Sequence, residues 1–193
     1  MTDSTTNTKP APSATSDPLT PLTDTLLTDP GGWRLVERGW NADRSVAVGS
    51  NFLVGNGYLG YRGTSPEERA DGYVGLVVSD TYDCADGKWR ELTTAPNPLF
   101  ATVSVDSTPL SVATASDVTT TFDLASGEFG SRQRHRVGDI EVVLLVERFA
   151  AQHDLHLLGQ RLTVEVDRAA TVEVSAGIDT VPWSLNGVHL PSV

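Results

Sequence analysis

The stretch that decides the fold is NFLVGNGYLGYRG, from Asn51 to Gly63. Its glycines are spaced among large apolar and aromatic side chains, and they lie at Gly55, Gly57, Gly60 and Gly63. The letters GNGYLG within it spell G-x-G-x-x-G, which occurs in loops that hold dinucleotides. The same letters also suit a tight turn between two β-strands, because glycine adopts positive φ without strain.

The residues that follow this stretch argue against a nucleotide site. A dinucleotide fingerprint needs a strand before it and a helix directly after it. Here Gly63 and Pro66 interrupt any helix at once, and no Gly-Lys-Ser/Thr follows, as a phosphate loop would require. We therefore predict that Asn56 and Gly57 form a tight turn, after which the chain re-enters a sheet at Tyr58.

Charge and composition narrow the classes of partner. The chain of 193 residues has a formal net charge of −11, which repels phosphate backbones and disfavours nucleic acid. It has no apolar run long enough to span a membrane and no secretory signal, so we expect a cytoplasmic protein without a membrane partner. The single cysteine, Cys84, excludes an internal disulfide and a cysteine-based zinc site. We expect no cofactor.

The first residues differ in composition from the rest. Residues 1–30 are rich in Thr, Ser, Pro and Asp, and they cannot bury enough apolar surface to offset the entropy of ordering. We expect a disordered tail there and a folded domain over residues 31–193. The domain begins near Trp33 and Trp40, where two tryptophans lie close together in the sequence.

The domain carries a β pattern throughout. Apolar and polar residues alternate in short runs, and no segment keeps a sustained helical period. Turn residues divide the runs at Asp106–Pro109, at Ser126-Gly127 and at Asp167–Ala170. The runs are Leu99–Val112, Thr119–Val137, Asp139–Ala150 and His156–Asp179. Short strands at this spacing predict an all-β fold, an antiparallel β-sandwich.

Acidic and histidine side chains give no clear catalytic or metal pattern. Glycosidases use two carboxylates at a defined separation, and two acidic clusters, Glu67–Asp71 and Asp80–Asp86, offer candidates. We interpret both as solvated loops, because runs of charge are usually solvated. His153 and His156 have a ligand spacing only on a helix, and their flanks indicate a turn into a strand. The aromatic residues of the first half fit either core packing or a sugar-stacking platform.

Several ordered motifs resemble one carbohydrate-active family. The stretch FLVGNGYLGYRG at 52–63 is similar to the signature near the start of glycoside hydrolase family 65, which includes maltose, trehalose and kojibiose phosphorylases and acid trehalases. The segments at 72–83, 91–110 and 121–157 follow in the family's order, so the resemblance covers residues 33–187. One departure is Gly49, where the family often has a glutamate.

The resemblance implies a fold and a missing part. The fold is the galactose-mutarotase-like super-sandwich that forms the N-terminal domain of these enzymes. In the family an (α/α)6 barrel follows, and it carries the general-acid glutamate and the phosphate site. We expect this barrel to be absent from the chain and the sandwich to be incomplete at its C-terminus, so the fragment alone is expected to be inactive.

The resemblance also implies a function for the full-length protein. It is expected to cleave α-glucosidic disaccharides by phosphorolysis or hydrolysis, with disaccharide and inorganic phosphate as partners. A homodimer of the full-length enzyme is a further partner that the resemblance allows. Two alternatives remain open from the residues alone: a free-standing carbohydrate-binding sandwich without catalysis, and a truncated product without function.

No catalytic, cofactor-binding or metal-binding residue is assigned in this chain. The motif residues are expected to have a structural role, or to shape the mouth of an active site built by another domain or subunit. Arg62 is expected to pair with a nearby acid. The residues concerned are Asn56, Gly57, Tyr58, Gly60, Arg62 and Gly63.

Overall fold

A computed structural model describes residues 26–28, 31–85, 89–181 and 183. The expected disordered tail lies outside the described residues, except for a short strand at Leu26–Thr28. The strands in chain order are β1 Leu26–Thr28, β2 Arg34–Arg38, β3 Val54–Gly55, β4 Leu59–Tyr61, β5 Leu76–Ala85, β6 Trp89–Ala95, β7 Asn97–Val105, β8 Thr108–Pro109, β9 Asp117–Asp123, β10 Glu128–Val137, β11 Ile140–Ala150, β12 Leu158–Val166 and β13 Val172–Asp179.

The strands of the described ranges form three antiparallel sheets. The largest has the order β1-β2-β9-β10-β11-β12, the second β3-β4-β5-β6, and the third β13-β7-β8. Strand β11 lies between β10 and β12, with Val142 opposite both His135 and Val166. The predicted antiparallel β architecture is confirmed, and so are the turns after β7 and after β9.

Consecutive strands do not always share a sheet. The predicted break at Asp167–Ala170 separates β12 from β13, and these two strands join different sheets: β12 pairs with β11, and β13 pairs with β7. Local alternation identifies a strand, but the choice of neighbour depends on contacts with distant parts of the chain.

Among the described residues, helical structure is limited to short segments. The helix α1 covers Ser45–Asn51, and single 3-10 turns cover Ala42–Arg44, Ala70–Gly72 and Val112–Thr114. A helix of two turns is too short to show an apolar period, which explains why the sequence pattern did not predict it. None of the helices in the described ranges is long and apolar enough to cross a membrane.

The core lies between the sheets and includes the opening stretch itself. Phe52 and Tyr61, from the two ends of that stretch, are fully buried. They belong to one apolar cluster with Val103 and Val105 of β7 and with Leu144 of β11. The stretch therefore connects the small four-stranded sheet to the other two.

Candidate functional site

The glycine-rich stretch forms a β-hairpin whose turn is held by Asn56. Gly57 has φ of 86°, as the turn prediction required. The Asn56 side-chain oxygen accepts hydrogen bonds from the backbone N–H of Tyr58 at 3.1 Å and of Leu59 at 3.0 Å. An asparagine that bonds its own following backbone in this way closes a turn without outside help.

The same side chain fastens the hairpin to a distant loop. The Asn56 amide nitrogen donates to the carbonyl oxygens of Ala151 at 2.8 Å and of Leu155 at 3.1 Å, in the segment that follows β11. Beside it, the Tyr58 ring lies against the His156 ring with centroids 4.6 Å apart. The four hydrogen bonds of the Asn56 side chain thus join the hairpin turn to the segment that follows β11.

Close packing requires a glycine at position 63 and leaves little space for a side chain at position 60. A Cβ atom at Gly63 would lie 2.6 Å from the carbonyl oxygen and 2.7 Å from the Cβ of Phe52, which is too close for any side chain. The Gly63 amide also donates to the Gly49 carbonyl oxygen at 2.9 Å. Gly60 is buried in β4, where a Cβ would lie 3.3 Å from Val77.

Arg62 lies partly buried beside Gly49. Its guanidinium donates to the Val46 carbonyl oxygen and lies 5.9 Å from the centre of the Trp183 ring. Among the described residues no acid lies within ion-pair distance of Arg62. Burial lowers the pKa of Arg62, and the attraction of the nearby Glu68 opposes that effect. A side chain at position 49 would begin 3.0 Å from the Arg62 guanidinium, and the glycine leaves that space to the arginine.

The acidic loop after the motif is anchored inside the fold, and the expectation of a solvated loop is wrong for its two glutamates. Glu67 accepts hydrogen bonds from the backbone N–H of Val112 at 2.7 Å and from the Ser65 hydroxyl at 2.5 Å. Glu68 accepts one from the Ser65 N–H at 2.6 Å. Burial, followed by the repulsion of Glu67 and Asp71, raises the pKa of Glu68 to about 7.

A buried arginine of β11 faces this loop. Arg148 is 1% exposed, and its guanidinium lies 5.1 Å from the ring centres of both Tyr61 and Phe129. It donates to the Gln160 side-chain oxygen at 2.6 Å and to the Thr64 carbonyl oxygen. Burial lowers the pKa of Arg148, and the nearby carboxylates oppose that effect. Tyr61, whose pKa is raised by burial, donates its hydroxyl to Asn97 at 2.7 Å.

Sequence reasoning missed Arg148, although a signal was present. In β11 the residues Val142, Leu144, Val146, Arg148 and Ala150 alternate with more exposed ones, so the arginine occupies a core-facing position. A charged side chain in such a position needs partners, because an unpaired buried charge is very costly. One partner, Thr64, lies 84 residues earlier in the chain and the other, Gln160, lies on the next strand, so neither could be named from the sequence.

The remaining candidates are dispersed. His135 is buried in β10, where its ring nitrogen lies 3.2 Å from the Gln133 side-chain oxygen. Within the described ranges no group of three or more His, Cys, Asp or Glu side chains could hold a metal ion. Of the aromatic residues, Tyr61 lies in the core, whereas Trp33 and Tyr82 are more than half exposed. The described acids and aromatic side chains therefore fit a network of structural hydrogen bonds and packing contacts better than an open pair of catalytic carboxylates.

Comparison with known proteins found a matching family and two related phosphorylases. The family described as glycosyl hydrolase family 65, N-terminal domain, matches residues 35–189. A 1,2-alpha-glucosylglycerol phosphorylase from Bacillus selenitireducens is 37% identical over 166 residues, which are 85% of this chain and 22% of that protein. A nigerose phosphorylase from Lachnoclostridium phytofermentans is 27% identical over 170 residues, which are 83% of this chain and 22% of that protein.

A solved structure shares the fold. It is described as "Putative kojibiose phosphorylase from human microbiome", and it superposes with a TM-score of 0.67 at 18% identity, covering 77% of this chain and 21% of that one. The chain thus spans about a fifth of the length of the proteins it matches. From its motifs, its antiparallel sheets and this match, the chain belongs to glycosyl hydrolase family 65 and corresponds to the family's N-terminal domain.

Proposed function

We propose that this chain is the N-terminal β-sandwich of an enzyme that cleaves α-glucosidic disaccharides by phosphorolysis. The observation that carries the proposal is the family match over residues 35–189, together with two relatives named as phosphorylases of glucosylglycerol and of nigerose. Among the reactions expected from the sequence, phosphorolysis is favoured over hydrolysis because these relatives are phosphorylases.

The catalytic groups of the whole enzyme lie, in this proposal, in a barrel domain outside these residues. The bonding of the acidic loop supports this division of roles. Glu67 and Glu68 already accept hydrogen bonds from Ser65 and Val112, and a general acid must instead reach the oxygen of the leaving group. In the full enzyme a barrel glutamate would protonate the glycosidic oxygen while phosphate attacks the anomeric carbon with inversion.

The motif from Asn56 to Gly63 acts, in this proposal, as a brace within the sandwich. The bonds that Asn56 makes to both its own turn and the segment after β11 support this role. The other candidate role, shaping an active-site mouth, draws support from the partly exposed Tyr58 and His156 at the same corner.

The test compares this chain with the product of the complete coding sequence. Each is incubated with glucosylglycerol, nigerose, kojibiose, maltose or trehalose, with and without inorganic phosphate, and both glucose 1-phosphate and glucose are measured. We expect phosphate-dependent glucose 1-phosphate from the complete protein and no turnover by this chain. Turnover by this chain alone, or release of glucose without phosphate by the complete protein, would contradict the proposal.

A further inference from the structure

A half-open recess lies between the start of the fold and the motif loop. It has a volume of about 180 Å³. One wall is formed by the end of β2 and the following turn, including Glu37 and Trp40, and another by β10 with Gln133. Ser65 and Glu68 of the acidic loop close a third side. We call this recess the β2–β10 cavity.

Three residues of its lining carry buried polar atoms without hydrogen-bond partners among the described residues, and they are Glu37, Arg44 and Thr64. Glu37 is only 4% exposed, and one of its carboxylate oxygens has no hydrogen-bond donor among the described residues. The other oxygen lies 3.1 Å from the Arg44 Nη2 as an ion pair, and neither that nitrogen nor the buried Nε has a hydrogen-bond acceptor among the described residues. A buried polar atom left unpaired is destabilising, so these atoms favour a guest that supplies hydrogen bonds.

The guest must be both donor and acceptor. The free Glu37 oxygen accepts a hydrogen bond, and the Arg44 Nε donates one, within the same ion pair. Two neighbouring hydroxyl groups satisfy both requirements at once, because each hydroxyl can donate and accept.

Charge and size restrict the guest further. The charged residues of the lining are two acids and two arginines, and they are Glu37, Arg38, Arg44 and Glu68. The pKa of Glu68, raised to about 7, leaves that carboxyl group only partly charged at neutral pH. An anion would meet the unpaired carboxylate oxygen of Glu37, and a neutral molecule would not be repelled. A cavity of about 150 Å³ accommodates a six-membered ring such as benzene, so a ring with hydroxyl substituents or a shorter polyol fits the volume observed.

The apolar part of the lining suits such a ring. Trp40 is 38% exposed at the rim, and Val48, Val112 and Phe129 contribute apolar surface deeper in. An aromatic face beside a carboxylate–arginine pair gives both stacking and directional hydrogen bonds.

We propose that the β2–β10 cavity binds one neutral polyhydroxylated molecule, of monosaccharide size or smaller, through a pair of adjacent hydroxyl groups on Glu37 and Arg44 and through stacking on Trp40. This inference does not depend on the proposed phosphorolysis, since every residue it uses lies in this chain. It assigns to the domain a ligand site of its own.

The experiment is ligand-observed NMR with this chain, titrated separately with D-glucose, glycerol and inorganic phosphate. We expect saturable binding of at least one of the two polyols and no saturable binding of phosphate. The polyol that binds more strongly shows whether the cavity prefers a ring, as in glucose, or an open chain, as in glycerol. If neither polyol saturates, the cavity holds water only and the proposal is overturned. Saturable phosphate binding that the two polyols fail to displace would overturn it as well.

Three variants test where the polyol binds. Trp40→Ala should weaken polyol binding about 3- to 10-fold, the range expected for one aromatic contact, and Glu37→Gln should weaken it about 10-fold. Trp33→Ala removes an exposed tryptophan outside the cavity and should leave the affinity unchanged. Because Trp40 is at the rim, its variant should keep the wild-type melting curve, so an unchanged affinity in a folded Trp40→Ala protein would contradict the assignment.

Discussion

At the scale of single residues, the pKa of Glu68 differs from the value that its charged neighbours in the sequence indicate. Its carboxyl group lies in the charged run PEERADG, yet burial raises its pKa from 4.5 to about 7. A carboxyl group with a raised pKa in the folded state binds more protons folded than unfolded. Its contribution to stability is therefore fully present below about pH 4.5, falls as the pH rises to about 7, and stays constant above that.

We expect Glu68→Gln to abolish this pH dependence. Relative to the wild type, the variant should gain stability between pH 4.5 and pH 7, by up to about 3 kcal/mol. Urea unfolding across this interval and above it measures the difference. Asp139→Asn changes a carboxylate that is 89% exposed and serves as the control, with no such trend. A free-energy difference between Glu68→Gln and the wild type that does not vary with pH would contradict the assignment.

A second prediction at this scale concerns Gly63. An alanine there would place its Cβ atom 2.6 Å from the Phe52 carbonyl oxygen, and neither strand nor core can move away easily. Overpacking of this kind costs about 1–3 kcal/mol or more, so Gly63→Ala should lower the melting temperature clearly. Gly177→Ala is the matched control, since no atom lies within 4 Å of its added Cβ and its φ is not positive. Equal melting temperatures for the two variants would show that the close contact does not constrain the fold.

At the scale of elements, the β3–β4 hairpin depends on one side chain. Asn56 makes two hydrogen bonds to its own turn and two to the segment after β11. Replacing it leaves backbone groups in both places without partners, and each net bond contributes about 0.5–1.5 kcal/mol.

We expect Asn56→Ala to cost about 2–4 kcal/mol in free energy of unfolding. Asn41→Ala removes a single capping bond, to the Asp43 amide at 2.9 Å, and should cost about 1 kcal/mol. Chemical denaturation of the two variants checks the ranking. A smaller loss for Asn56 than for Asn41 would mean that the hairpin is held by its core residues and not by the asparagine.

At the scale of the whole molecule, the sheet β13-β7-β8 has an apolar face that the other described residues cover only in part. Val172 and Val174 of β13 lie opposite Val105 and Val103 of β7, so all four side chains are on the same face of the sheet. The two on β7 are buried, whereas those on β13 are 39% and 52% exposed. Among the described residues, β13 is also the edge strand of this sheet. An apolar face at an open edge favours association with another strand or surface.

We therefore expect this chain to self-associate as its concentration rises. Val174→Lys should reduce the association, because a charge replaces apolar surface on the open face. Ser175→Lys places the same charge on the opposite face of β13 and should have a smaller effect. Light scattering coupled to gel filtration measures both. A mass independent of concentration in the wild type, or an equal effect of the two lysines, would contradict this interpretation of the exposed face.

The amino-acid sequence by itself determined the local conformation of this protein. Alternating residues specified the strands, and Asn56-Gly57 specified a turn, because both depend on neighbours in the chain. The family followed from the motif around that turn for the same reason, since a motif is a local string of residues.

Only the tertiary structure decided which distant residues meet. The separation of β12 and β13 into different sheets, the burial of Arg148 against the Thr64 carbonyl and the raised pKa of Glu68 all arise from contacts between remote segments. The cavity beside Glu37 has the same origin, since β2 and β10, which form two of its walls, are far apart in the sequence. Burial and its electrostatic consequences depend on what surrounds a side chain in space, and the sequence pattern of a single segment does not contain that information.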